Sequence, residues 1–165
     1  MAQDVFAFLS ENNIQYERVD HPPVYTCEEA EKLTPSIRGV HTKNLFVRDK
    51  QGRHHFLVVA PHRKSVDLKA LSSKLDVSNL SLGSSLRLQK YLGVEPGAVS
   101  LLAIVNDTES SVEVVLDRDI WRKDALQCHP LVNTSTLAIT RSDIERFFKI
   151  TGHRWRVLSI PEITR

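Results

Sequence analysis

The sequence predicts a single α+β domain over residues 1–165, with a mixed, mostly antiparallel sheet or barrel-like core and surrounding helices. Three observations lead there. Helix-period and strand-length apolar patterns are interspersed along the whole chain. The strands are joined mostly by turn-length segments that suit hairpins. No internal repeat, linker or low-complexity stretch divides the chain.

Val5, Phe8 and Leu9 fall at i, i+3 and i+4, so residues 2–12 predict an amphipathic helix. Residues 14–20 predict a short strand, stopped by Pro22-Pro23 because proline cannot continue a central ladder. Thr26-Cys27-Glu28-Glu29 has the form of a capping box and opens a helix to Leu33, ended by Pro35. Residues 43–49 and 55–60 predict the two strands of a hairpin around Asp49-Lys50-Gln51-Gly52. The unbroken run Phe56-Leu57-Val58-Val59-Ala60 suits burial on both faces. Helices follow at 67–75, with Leu68, Leu71 and Leu75 in one stripe, and at 84–92, stopped by Gly93. Pro96-Gly97 predicts a tight turn, and residues 99–105 and 111–116 predict strands around an Asn106-Asp107 turn. A short helix at 119–125 and a strand at 137–140 come next. A second capping box, Thr140-Arg141-Ser142-Asp143, opens a helix with Ile144, Phe147 and Phe148 inward, and 154–158 is the last strand.

Composition narrows the function classes. With 41% hydrophobic and 25% charged residues the chain reads as globular, and no apolar run approaches the ~20 residues of a membrane span. The N-terminus lacks a signal-peptide pattern, and Cys27 and Cys128 have no metal-type spacing, so a cytoplasmic protein with reduced thiols is expected. The net charge of +2 divides into −4 over residues 1–40 and +6 over the rest, which suits an anionic partner on the basic body. The chain holds no G-x-G-x-x-G, P-loop, H-E-x-x-H or G-x-S-x-G. His54 and His55 are adjacent on a strand and point to opposite faces, so no metal site is expected.

Polar residues concentrate instead at turns and strand starts, where a rigid scaffold can present them to a pocket. Lys43 and Asn44, in Gly39-Val40-His41-Thr42-Lys43-Asn44-Leu45-Phe46-Val47-Arg48-Asp49, sit where a loop enters a buried strand, so one of them must face inward or into a cleft. Gly93-Val94-Glu95-Pro96-Gly97 is a glycine-bracketed loop able to approach a ligand closely. Asn106-Asp107 and the run from Cys128-His129-Pro130 through Asn133 to Thr136 add hydrogen-bonding groups.

In combination and order, Gly-x-His-x-Lys-Asn-Leu-Phe-x-Arg-Asp, Gly-x-x-Pro-Gly-x-Val, Asn-Asp and His-Pro-Leu-x-Asn resemble the YbaK/ProX family of trans-editing aminoacyl-tRNA deacylases. The likeness is nearest to the PrdX branch, free-standing Ala-tRNA(Pro) deacylases similar to the insertion domain of bacterial prolyl-tRNA synthetases. It runs from His21-Pro22-Pro23 to the helix before Gly152. The resemblance implies hydrolysis of the ester joining a wrong amino acid to the tRNA 3′-terminal adenosine, with no cofactor, no metal and no enzyme nucleophile. It casts Lys43 as the key cation, Asn44 as a substrate-holding group and His129 as a shaper of the pocket. Gly97, Ser100, Asn106, Cys128 and Asn133 become substrate-side positions. The partners implied are the acceptor end of mischarged tRNA(Pro) and prolyl-tRNA synthetase, with no membrane and no DNA. Arg63, Lys64, Arg122, Lys123 and Arg141 are candidate phosphate contacts, as are Arg118, Arg146, Lys149, Arg154 and Arg156. Two departures from the branch bear on which amino acid is removed: alanine, serine or cysteine. Ser100-Leu101-Leu102 stands where Thr-Pro-Phe is common, and Cys128 where an aromatic is usual.

Overall fold

A computed structural model of the chain describes residues 4–23, 32 and 37–164. The Thr26–Glu29 capping box, its helix and Cys27 lie outside the described residues.

Helix α1 (Val5–Glu11) leads to β1 (Glu17–Asp20), and β2 (Thr42–Arg48) and β3 (His55–Pro61) form the expected hairpin. Helix α2 (Leu68–Lys74) is capped by Asp67, whose carboxylate accepts from Ala70 N–H. A two-residue β4 (Ser81–Leu82) precedes α3 (Ser85–Leu92), capped by Ser84 and closed by Gly93 at φ 64. Two 3-10 segments, Pro96–Ala98 and Leu101–Asn106, lead to β5 (Val112–Asp117) and the short α4 (Arg118–Trp121). The chain ends in β6 (Ala125–Cys128), β7 (Ser135–Thr140), α5 (Arg141–Thr151) and β8 (Trp155–Leu158).

Among the described residues the strands build two open sheets, which corrects the barrel-like expectation. One is antiparallel in the order β1-β7-β6, and the other runs β4-β2-β3-β5-β8. In the larger sheet β4, β2 and β3 are antiparallel, whereas β3, β5 and β8 are parallel. Parallel neighbours require crossovers, so hairpins account for fewer of the connections than expected. The predicted strand at 99–105 is also corrected. Leu101–Asn106 is a 3-10 helix, with Ser100 Oγ accepting from Leu102 N–H at its start. Asn106-Asp107 is accordingly no hairpin turn. The predicted helix at 119–125 stops at Trp121, and β6 takes its last residue.

Period-two alternation divides the core across the larger sheet. Leu57 and Val59 of β3 enter the cluster formed with α1, α3, the longer 3-10 helix and α5. Phe56, Val58 and Ala60 enter a second cluster beneath Leu71 of α2 and Leu75 directly after it. The second capping box is half realised. Thr140 Oγ1 accepts from Asp143 N–H, but the Asp143 carboxylate accepts from Gln15 N–H at 3.2 Å and so ties α5 to the start of β1.

Buried His55 stacks on Phe46 and lies 4.2 Å from the Tyr91 ring, with Arg87 donating to its Nε2 at 2.9 Å. Burial and the Arg87 charge push its pKa down to about 4. In the unfolded chain a histidine ionises near 6.5, so between about 6.5 and 4 the unfolded state binds the extra proton. Stability is therefore expected to fall as pH drops through that window. Urea titrations at stepped pH check it, and His55→Gln should flatten the slope; an equal slope in both proteins contradicts the assignment.

Candidate active site

Strand β2 starts where β3 ends: Lys43 pairs with Ala60 and Asn44 with Val59. Because β3 and β5 are parallel, this is also the carboxyl end of both, the end at which open α/β sheets present ligand sites. Alternation separates the two residues. Asn44 shares a face with Phe46 and the larger cluster, while Lys43 shares the other with Leu45 and Val47. Both residues are half-buried, and Asn44 Oδ1 is buried with no hydrogen bond among the described residues. Lys43 is half-buried, and its ammonium has no hydrogen bond or ion pair among the described residues.

A second element reaches the same place. Val40 bridges Leu126 in parallel, and Thr42 Oγ1 donates to Gln127 O at 3.1 Å, which brings the end of β6 beside the start of β2. Gly39 makes this approach feasible. At φ 104 it lies so close to β6 that a Cβ would meet the Leu126 carbonyl carbon at 3.2 Å. Gln127, missed in the sequence, fastens the junction: its buried amide donates to Ile37 O and Gly39 O at 3.3 and 3.2 Å. No motif marks it, because its strand was itself unrecognised.

Directly after β6, His129 Nε2 donates to Val99 O at 2.9 Å. Its Nδ1 is then a lone-pair acceptor, buried and without a partner among the described residues. Burial holds the His129 pKa below the ordinary histidine value, with the Val99 hydrogen bond acting in the opposite sense. Ser100 is fully buried and its Oγ donates to His129 O at 2.7 Å, so it positions the histidine loop from behind. Cys128 is also buried, paired with Leu137, and burial pushes its thiol pKa up to about 12. A thiol so poised stays protonated at neutral pH and is no nucleophile.

Other expected positions fall at varied distances from this junction. Asn106 Nδ2 donates to Leu92 O at 2.8 Å, closing the end of α3. Gly97 is exposed in a 3-10 turn without positive φ, and a Cβ there would meet nothing within 4 Å. Asn133 is half-buried in the β6–β7 connection. Arg63, directly after β3, and Arg122 and Lys123, directly after α4, are exposed at the carboxyl end of the sheet, while Arg141 donates to Trp121 O beside them. Lys64 is committed elsewhere: its Nζ lies 2.7 Å from Asp117 Oδ2 and donates to Ile160 O at 3.0 Å. Burial opposes its charge, yet Asp117 holds its pKa above the ordinary lysine value. The Lys64 side chain is 15% exposed, its ammonium engaged within the fold.

An open mixed sheet with a polar junction at the β2–β3 end is the frame on which the similarity to known proteins falls. Residues 21–147 match the aminoacyl-tRNA editing domain family, and the chain belongs to it. The prolyl-tRNA editing protein ProX of Acetoanaerobium sticklandii is 39% identical over 158 residues, covering 96% of each chain. Prolyl-tRNA synthetase associated domain-containing protein 1 of Danio rerio is 38% identical, over 96% of this chain and 87% of that one. Among solved structures, a candidate trans-editing enzyme for prolyl tRNA synthetase superposes with a TM-score of 0.73 at 16% identity, covering 98% of this chain and 97% of that one. A computationally designed epitope scaffold reaches 0.77 at 17% identity, over 99% and 97%. At those identities the two structures show the fold alone.

Proposed function

We propose that the whole chain acts as one trans-editing hydrolase that removes alanine from mischarged tRNA(Pro). Similarity to ProX over 96% of the chain supports the substrate class. The observation that carries the chemistry is the half-buried Lys43 ammonium, without a hydrogen bond or ion pair among the described residues, at the start of β2.

An aminoacyl ester is already activated, so positioning and charge stabilisation suffice for its hydrolysis. Water attacks the ester carbonyl, the C–O bond to the ribose breaks, and the terminal hydroxyl leaves with a proton. Lys43 stabilises the charge that develops on the carbonyl oxygen, and Asn44 holds the substrate by side-chain hydrogen bonds. The fixed tautomer of His129 leaves Nδ1 free to accept a hydrogen bond from the attacking water or the terminal ribose. Arg63, Arg122, Lys123 and Arg141 give the acceptor end a basic approach at the same end of the sheet. Selectivity follows from size: proline is too bulky, whereas rejecting a smaller side chain by contacts yields only about 1–3 kcal/mol per methylene.

Two measurements test this. In a side-by-side assay of tRNA(Pro) charged with alanine, serine or cysteine, alanine is expected to be released fastest. Fastest release of cysteine or serine reassigns the substrate within the same chemistry. The pH profile tests His129. Since the neutral ring persists to lower pH than an ordinary histidine, the acid limb of the rate is expected below about 6.5. A limb at or above that value, or one unchanged in His129→Gln, contradicts the role.

A further inference from the structure

At the end of the sheet opposite Lys43, the amino ends of β3, β5 and β8 border a cleft of about 440 Å³. The seven residues of β3, at roughly 3.3 Å each, place the two ends roughly 20 Å apart. Arg53, His54, Asp76, Glu113, Arg154 and Arg156 contribute its polar lining. Glu113 neutralises Arg156, with Oε2 2.6 Å from Nε. Arg53 and Arg154 are exposed, and neither guanidinium has a hydrogen bond or ion pair among the described residues.

A buried carboxylate stands beneath the backbone that carries each arginine. Asp49 Oδ1 accepts from Arg53 N–H at 2.8 Å and His54 N–H at 3.1 Å. On the other side, Asp107 Oδ2 lies 2.9 Å from Nε2 of His153, the residue before Arg154, and accepts from Val112 N–H at 2.8 Å. Arg154 O in turn accepts from Val114 N–H at 2.9 Å. Both loops are therefore fixed from below, which leaves the guanidiniums themselves available.

Two free guanidinium forks across a prebuilt cleft suit a group with several charged oxygens. The His54 ring, within 23° of parallel to Phe56, offers a flat face to a base, and Asp76 is an acceptor for hydroxyl or amino donors. The volume falls in the range of small-ligand sites, about 300–1,000 Å³. We propose that this cleft binds a nucleotide, its phosphate held between Arg53 and Arg154 and its base against His54. The same chemistry is offered by a free mononucleotide and by an RNA strand. The proposal goes beyond the editing reading and does not depend on it.

Calorimetric titration of the full chain with AMP, adenosine and a single-stranded tetraribonucleotide tests it. AMP is expected to bind with a Kd below about 1 mM, and adenosine about tenfold or more weakly. Arg53→Ala and Arg154→Ala should each weaken AMP about tenfold, whereas Lys69→Ala, at an exposed position of α2 outside the cleft, should leave it unchanged. Binding of the tetraribonucleotide alone, weakened by the same two variants, assigns the cleft to an RNA strand. No binding of either probe, or wild-type affinity in both arginine variants, overturns the proposal. Both side chains are exposed, and unchanged thermal unfolding confirms that the variants fold.

Discussion

Lys43→Ala is expected to slow single-turnover hydrolysis of Ala-tRNA(Pro) about a hundredfold or more, with thermal unfolding unchanged. The two halves of that result come from different links of the same structure. Lys43 has no ion pair or hydrogen bond among the described residues, so its loss strands no partner. Its backbone pairing with Ala60 survives any side chain. Only a developing charge on the substrate would lose its counter-ion. Lys43→Arg keeps the charge but substitutes a planar fork for a compact ammonium, so partial activity is expected. Wild-type turnover by Lys43→Ala, with intact fold, removes Lys43 from the mechanism.

Asp107→Ala is expected to have the largest effect on stability, a loss of about 3 kcal/mol, read as a urea midpoint shift. Burial raises the Asp107 pKa, but His153 and the backbone N–H groups of Val112 and Ser111 outweigh it, so the carboxyl stays below its ordinary value. Its removal leaves His153, with a side chain 0% exposed, and Val112 N–H without their acceptor. His153 Nδ1 lies 2.8 Å from Thr151 Oγ1, so the end of α5 is disturbed too. Glu113→Ala is the control. It breaks the more exposed pair with Arg156 and should cost no more than about 1 kcal/mol. Equal losses in the two variants contradict the role given to burial.

How much of this was legible in the sequence depended on whether local chemistry decided the outcome. Ser84 and Gly93 bracket α3, Asp67 caps α2 and Thr140 caps α5, all within one turn of the residues they serve. The β2–β3 hairpin was equally local, since Asp49 both turns the chain and accepts from Arg53 and His54. The misread segments depend on distant partners. Leu101-Leu102-Ala103-Ile104-Val105 is buried on every side, and a continuous apolar run of that length does not distinguish strand from helix. What decides is the fully buried Ser100, bonded to the carbonyl of His129 twenty-nine residues away. Strand β6 is four residues long and takes its identity from β7 and from Val40.

The candidate site was legible in its residues and hidden in its geometry. Lys43, Asn44 and His129 stood out as polar groups at element ends. That β6 lies beside β2, or that Lys43 and Asn44 diverge across the strand, followed only from the register. Charge counting alone could not separate Lys64, held by Asp117, from the exposed Arg63 next to it.

An editing hydrolase of this kind cleaves the aminoacyl ester and selects by size. Single-turnover incubation of the wild-type protein with Ala-tRNA(Pro) and with Pro-tRNA(Pro) tests it most directly. Alanine is expected to be released far faster than by spontaneous hydrolysis, while prolyl-tRNA persists. Saturable tRNA binding with alanine lost only at the spontaneous rate would contradict it and leave a binding module in place of an enzyme.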